Sequence, residues 1–463
     1  MNLIIIKFKE EKVKKALLWG LVLVLSMSMV ISLSMVGCKN STAAAETTAA
    51  AETTAAAETT VATETTAGEQ ITLRMPHWFF SDGGNFKSWI DGAIAKFEEL
   101  NPNIKIDGYA VGYAEIWDKF ETALAAGDAP DLMPFSTNEM KYADAGVLVP
   151  LDDLIDMKDI KDNWSVVQTR DCVAKDGKTY VITTNVGLKI PLYRPSVLKE
   201  NGIAEFAKTP EEFIEMCKKL TKQGLYGYGA DIIPGGWNVG TFEPINWTLA
   251  FGGHYGKDGL PTLNSPEVIK AITLLKTLFD AGAMPKEFDI GTHRKMLATK
   301  NIATLVDGMW VYGIAESIDP TVKGDFMAAN MPTGTPYVAG FHESIGVTKQ
   351  SKYPKEAAKF VEFLGSFEQQ QLIQQLIGFL SARNDIYEDK TFLDNYLKDN
   401  PWFQAFVDNA KNIVDYNPPG MDAAKIPEVK AIWYSYYEKV LYENMDVTKA
   451  MDAAQVEALA LFK

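Results

Sequence analysis

Polarity changes abruptly near the start of the chain. Lys7, Lys9, Lys12, Lys14 and Lys15 precede an apolar run from Ala16 to Met35, which stops at Val36-Gly37-Cys38. A basic start, an apolar stretch and small residues before a cut site predict an export signal. The run is also long enough to span a bilayer as an uncleaved anchor. Either way the rest of the chain is placed outside the cytoplasm, and no later stretch is apolar enough for a second span. Glu46, Glu52, Glu58 and Glu64 then recur among Ala and Thr up to residue 69. This segment has no apolar face to bury and is predicted to stay solvated. As a flexible coil of about 30 residues it would reach roughly 30 Å.

Regular periodicity begins at residue 70. Ile71 to Met75 predicts a strand, and Trp89, Ile90, Ile94, Phe97 and Leu100 recur at helical spacing, with Trp89 in the core. Asn101-Pro102-Asn103 ends that helix before a strand at Ile104 to Ile106. Glu115 to Ala126 predicts a helix and Asp131 to Phe135 a strand, with Asp131 structural. Two separate strands are predicted at Thr179–Ile182 and Leu188–Ile190, and further strands at Ile302–Val306 and His342–Thr348. Thr209-Pro210-Glu211 and Ser265-Pro266-Glu267 predict capped helix starts. Helices are also expected over 354–365, 367–377, 426–441 and 447–461, and irregular chain over 224–240. Strand-helix alternation with short turns predicts an α/β fold.

Nearly 400 residues beyond position 69 exceed one ordinary core and predict two lobes. The formal net charge is −15; the leader carries five Lys against two Glu, so the chain beyond it stands near −18. That argues against nucleic acid and anionic lipid surfaces as partners. Cys172 and Cys217 are expected to be buried free thiols. The four histidines form no H-E-x-x-H, and neither a G-x-S-x-G elbow nor a P-loop is present. No catalysis, cofactor or metal is expected. A hidden pair of glycosidase carboxylates stays open as an enzyme reading, because such pairs have no fixed spacing in sequence. No basic pocket for an anion is visible along the chain, and no cluster of Tyr and His demands iron.

Met35-Val36-Gly37-Cys38 resembles a bacterial lipobox, with Met35 where Leu is usual. The resemblance implies cleavage after residue 37 and lipid on Cys38, tethering the chain to the outer face of the cell membrane. Other stretches carry a second resemblance, covering roughly residues 70 to 461. They are FEELNPNIKI, ALAAGDAPDLM with ADAGVLVPLDDLI, LYRPSVLKENGI with KTPEEFIEMCKKLT, LAFGGHYGKDGLPTLNSPE, IATLVDGMWVYGIA, GVTKQSKYPKEAAKFVEFL, SARNDIYED and VTKAMDAAQVEAL. In this order they resemble the extracellular solute-binding lipoproteins of ABC importers, in the group that includes the maltose-binding protein. The resemblance implies a two-lobed α/β fold of the periplasmic-binding-protein type, with a cleft between the lobes. Lobe 1 is expected from 70–184 with 337–384, and lobe 2 from 185–336 with 385–463. A three-stranded hinge is expected near 184–190, 334–340 and 382–388. The implied function is capture of a carbohydrate, an oligosaccharide, by a monomer that delivers it to permease subunits. A sensor feeding a membrane kinase or chemoreceptor would read the same in sequence, and a non-sugar solute such as a polyamine stays open.

In α/β lobes, ligands sit beyond the carboxyl ends of strands. That selects Trp78, Phe79 and Asp82; then Phe135, Ser136, Thr137 and Asn138; then Asp307, Gly308 and Trp310; and Trp237, Glu243 and Trp247 in a loop over 234–247. The resemblance adds weight to Trp310, as a stacking aromatic, to Trp433 and to the loop 135–138. Tyr113, His342 and Arg383 complete the expected ligand contacts. The residue types suit a sugar: aromatic rings cover the apolar face of a pyranose, while Asp, Asn and Glu bond its rim of hydroxyls.

Overall fold

A computed structural model describes residues 70–463, apart from 114, 137, 138, 166 and 423, and gives only the backbone of Asp171, Trp237 and Asn238. The leader, Cys38 and the segment 38–69 lie outside the described residues.

Strand β1 (Ile71–His77) pairs in parallel with β2 (Ile104–Ala110), Ile71 opposite Ile104. The helix Gly84–Leu100 between them buries Trp89, Ile90, Ala93 and Phe97, its apolar stripe. β3 (Leu132–Ser136) follows, and Asp131 ahead of it accepts hydrogen bonds from the Arg74 amide and the Ser351 hydroxyl. β4 (Val181–Tyr193) is one continuous strand of 13 residues. β5 (Tyr226–Gly229) precedes a hairpin of β6 (Gly256–Lys257) and β7 (Leu260–Pro261), whose turn residues Asp258 and Gly259 both have positive φ. β8 (Ile302–Asp307), β9 (Met327–Ala328), β10 (Val338–Val347) and β11 (Ile413–Asp415) complete the strands used below.

Two long strands organise the molecule. Residues 343–347 of β10 pair with β3, whereas 338–340 pair with β11. Along its first part β4 runs antiparallel to β10, and along 190–193 it pairs with β8. A 13-residue strand spans about 43 Å, enough to run from one α/β lobe into the other. Leu380 bridges to Val186, so a third segment lies against the same crossing.

The two separate strands expected over 179–190 are therefore one. Polar Thr183 and Asn185 read as a break, but both are buried and held by partners distant in sequence. The Thr183 amide donates to Gln168 Oε1 at 2.7 Å, and Asn185 Nδ2 donates to Glu343 Oε2 at 2.8 Å. A second difference lies at 242–250, expected partly as loop and observed as the helix Phe242–Ala250. Cys172 and Cys217 are both free and buried. Thr209 and Ser265 cap their helices as expected, accepting from the amides of Glu212 and Val268. Among the described residues no helix is long and apolar enough to cross a membrane.

Candidate functional site

A cavity of about 580 Å³ opens at the crossing, within the range usual for small-molecule sites. One wall follows β1. Gly83 and Gly84, with φ of 69° and 51°, turn the chain from a single helical turn into the long helix behind it. This turn sets Trp78 and Asp82 on the cavity. Burial holds His77 neutral, its pKa lowered to about 3, and its Nδ1 accepts from the Phe79 amide at 3.1 Å. Trp78 packs edge-to-face on Tyr113 with ring centroids 5.3 Å apart. Tyr113, 48% exposed, hydrogen-bonds Ser136 at 3.3 Å.

The opposite wall carries Trp310, at the start of the helix Trp310–Ile318 that follows β8. Its ring lies so close over Gly308 that a Cβ there would come within 2.0 Å of it. Arg294 lines the cavity and is held by buried Asp307, Nε to Oδ2 at 2.6 Å, with its guanidinium 5.7 Å from the Trp310 centroid. Asp307 itself is fully buried, so it positions Arg294 rather than facing the cavity.

The floor is the crossing itself. Phe341 of β10 lies over Gly187 of β4, where a Cβ would meet the ring at 2.5 Å. Glu343, two residues on, faces the same cavity. Burial raises its carboxyl to about 7; the Asp82 charge adds to this, while the Asn185 and Trp78 hydrogen bonds oppose it. Lys189 of β4 places its ammonium 4.4 Å from the Phe242 centroid, and Lys430 lies 5.7 Å from the same ring. Burial lowers the pKa of both ammoniums, that of Lys430 to about 8. Tyr416 closes this side and donates from its hydroxyl to Asn246 Oδ1.

Of the residues expected at the ligand, Trp78, Phe79, Asp82, Tyr113, Ser136 and Trp310 come together on this cavity. Thr137 and Asn138 lie outside the described residues, as does the side chain of Trp237. The others stand elsewhere. Phe135 is fully buried against Phe120 and Tyr142, and its neighbour Ser136 faces the cavity instead. His342 shows the same one-residue reversal, for Phe341 and Glu343 on either side face the cavity. His342 lines a separate cavity of about 350 Å³ and meets Glu139 Oε1 at 2.8 Å. Burial opposes charge on its ring, but Glu139 and Cys172 outweigh that and hold its pKa well above the ordinary value.

Glu243 and Trp247 lie one turn apart on the buried helix. Trp247 Nε1 donates to Glu243 Oε1 at 3.0 Å, and the Tyr228 hydroxyl donates to the same oxygen. Trp433 is fully buried against Tyr255 at 5.4 Å, in the core. Arg383 is clamped by Asp159 and Asp385 at 2.7–3.0 Å. Its charge is fully used in holding the segment after Leu380.

Sequence reasoning missed Lys189, Phe242, Arg294, Phe341, Glu343, Tyr416 and Lys430. For Phe341 and Glu343 a signal existed, the period-2 alternation of β10. For Lys189, Arg294 and Lys430 none did, since only the fold brings them together. These three cations share the cavity with Asp82 and Glu343, and Arg294 is paired with Asp307.

Comparison with known proteins gives a consistent result. The model of a family described as bacterial extracellular solute-binding protein matches residues 92–405. An arabinooligosaccharide-binding protein of Bacillus subtilis is 24% identical over 310 residues, covering 62% of this chain and 68% of that protein. The diacetylchitobiose binding protein DasA of Streptomyces coelicolor is 24% identical over 357 residues, 73% and 77% of the two chains. Among solved structures, a cyclic alpha-maltosyl-1,6-maltose binding protein from Arthrobacter globiformis superposes with a TM-score of 0.73 at 18% identity. That superposition covers 85% of this chain and 99% of the other, so the two share a fold.

Proposed function

Because the chain belongs to the bacterial extracellular solute-binding proteins, we propose that it captures an oligosaccharide in the cleft at the β4–β10 crossing and delivers it to an ABC permease. The observation that carries this is Trp310, Tyr113 and Phe341, each at least partly exposed on one cavity, interleaved with carboxylates and cations. Aromatic faces cover sugar rings, and charged groups bond hydroxyls more strongly than neutral ones do. The names of the relatives, which bind arabino-oligosaccharide and diacetylchitobiose, support the same class.

The lobes, 70–184 with 337–384 and 185–336 with 385–463, close on the solute by bending at the shared strands. Closure is stabilised only by the solute's greater affinity for the closed form. Cys38, acylated after removal of the leader, holds the protein at the outer membrane face. The segment 38–69 gives it reach toward the permease. Membership in a family of binding proteins argues against an enzymatic role.

A thermal-shift screen of the purified protein against neutral and acidic oligosaccharides, amino acids and polyamines tests this. Ligand at a hundred times its dissociation constant stabilises the native state by about 2.7 kcal/mol. A rise in midpoint with one sugar series is expected. A rise with polyamines or amino acids and with no sugar contradicts the reading.

A further inference from the structure

The cleft of this acidic chain carries cations that its own carboxylates do not use. Lys189 and Lys430 both lie over the Phe242 ring and line the cavity. Asp307 and Glu243 act on Lys189, and Asp415 on Lys430, only through space. Two of those carboxylates are engaged elsewhere: Asp307 by Arg294, and Glu243 by Tyr228 and Trp247. Asp415 accepts from the Asn417 amide at 2.6 Å. Among the described residues, neither ammonium has a carboxylate within ion-pair distance.

Holding two partly desolvated ammoniums beside one another costs stability. In a protein of net charge −15 such a pair also runs against the overall composition. An anionic group placed between them would relieve both costs, and in a cleft of reduced dielectric the attraction exceeds that in water. Trp310 and Phe341, both partly exposed, leave aromatic surface in the same cavity for the neutral part of the solute.

We propose that Lys189 and Lys430 form an anion subsite within the cleft, so that the solute is an acidic sugar, bearing a carboxylate, sulfate or phosphate group. This rests on the carbohydrate reading above and narrows it. Lysine is a point charge and does not by itself select among these anions; the arms of the experiment do.

The test is calorimetric titration of the purified full chain with uronic-acid oligosaccharides, their neutral counterparts, sulfated and phosphorylated sugars, and glycerol phosphate. The expected result is affinity for one acidic series at least about tenfold above its neutral counterpart. Raising the salt concentration should weaken acidic-sugar binding selectively. Lys189→Met and Lys430→Met should each remove most of the preference, lowering affinity for the acidic series far more than for its neutral counterpart. The wild-type comparison of acidic with neutral sugars needs no variant to fold. Equal affinity for acidic and neutral sugars, or a preference that survives in both variants, overturns the subsite. Binding of glycerol phosphate and of no sugar, lost in the same variants, supports the subsite and contradicts the carbohydrate reading. Binding of neutral sugars alone does the reverse.

Discussion

Two tryptophans separate binding from folding. Trp310 borders the cavity and Trp433 is fully buried. Trp310→Ala is expected to abolish measurable sugar affinity with little change in stability. Trp433→Ala is expected to cost about 3–5 kcal/mol in denaturant unfolding, the usual range for a buried aromatic. Trp310 was legible because Asp307-Gly308 ends a strand, and strand ends face ligands in α/β lobes. Trp433 was not, because a tryptophan in a long helix reads alike on either face. Glu343 adds a test of opposite sign. Its carboxyl is raised from 4.5 to about 7, so between those values the folded state binds more protons than the unfolded state. Its stabilising effect relative to the unfolded chain is complete at low pH and falls away as pH rises through 7. Glu343→Gln, which keeps an acceptor for Asn185, is therefore expected to match the wild type near pH 4 and to be more stable by about 2–3 kcal/mol at pH 8. Urea midpoints at the two pH values check this.

At the scale of elements, close approaches between strands and rings shape the cleft. A methyl group at Gly308 would strike the Trp310 ring at 2.0 Å. Gly308→Ala should displace that ring, weakening sugar binding about tenfold or more, since small misplacements at a site are costly; titration of the variant measures it. β10 shows why part of the site was hidden. Its alternation was readable, but which parity faces the cleft depends on pairing with β3, where Ser136 stands opposite Glu343. Choosing His342 took the wrong face of β10, and on β3 Ser136 was the right choice where Phe135 was not. His342 instead meets Glu139 across elements far apart in sequence. His342→Ala would leave that carboxylate buried without its partner. A loss of about 3–5 kcal/mol in equilibrium unfolding is expected.

For the whole molecule, the α/β alternation and the bounds of the long helices that were expected were legible, because each rests on local periodicity and caps; helices such as Ile290–Ala298 and Lys390–Asp399 were not. Long-range facts were not. The union of 181–193 into one strand depends on Gln168 and Glu343 satisfying buried polar groups from a distance. The gathering of Lys189, Arg294 and Lys430 depends on three elements meeting at one cavity. The central claim is that this cavity captures a sugar through Trp310. Calorimetric titration of wild type and Trp310→Ala with the oligosaccharide that most raises the thermal midpoint tests it most directly. Saturable one-to-one binding in the wild type, lost in the folded variant, is predicted. Equal affinity in both proteins would place the sugar elsewhere and contradict the account.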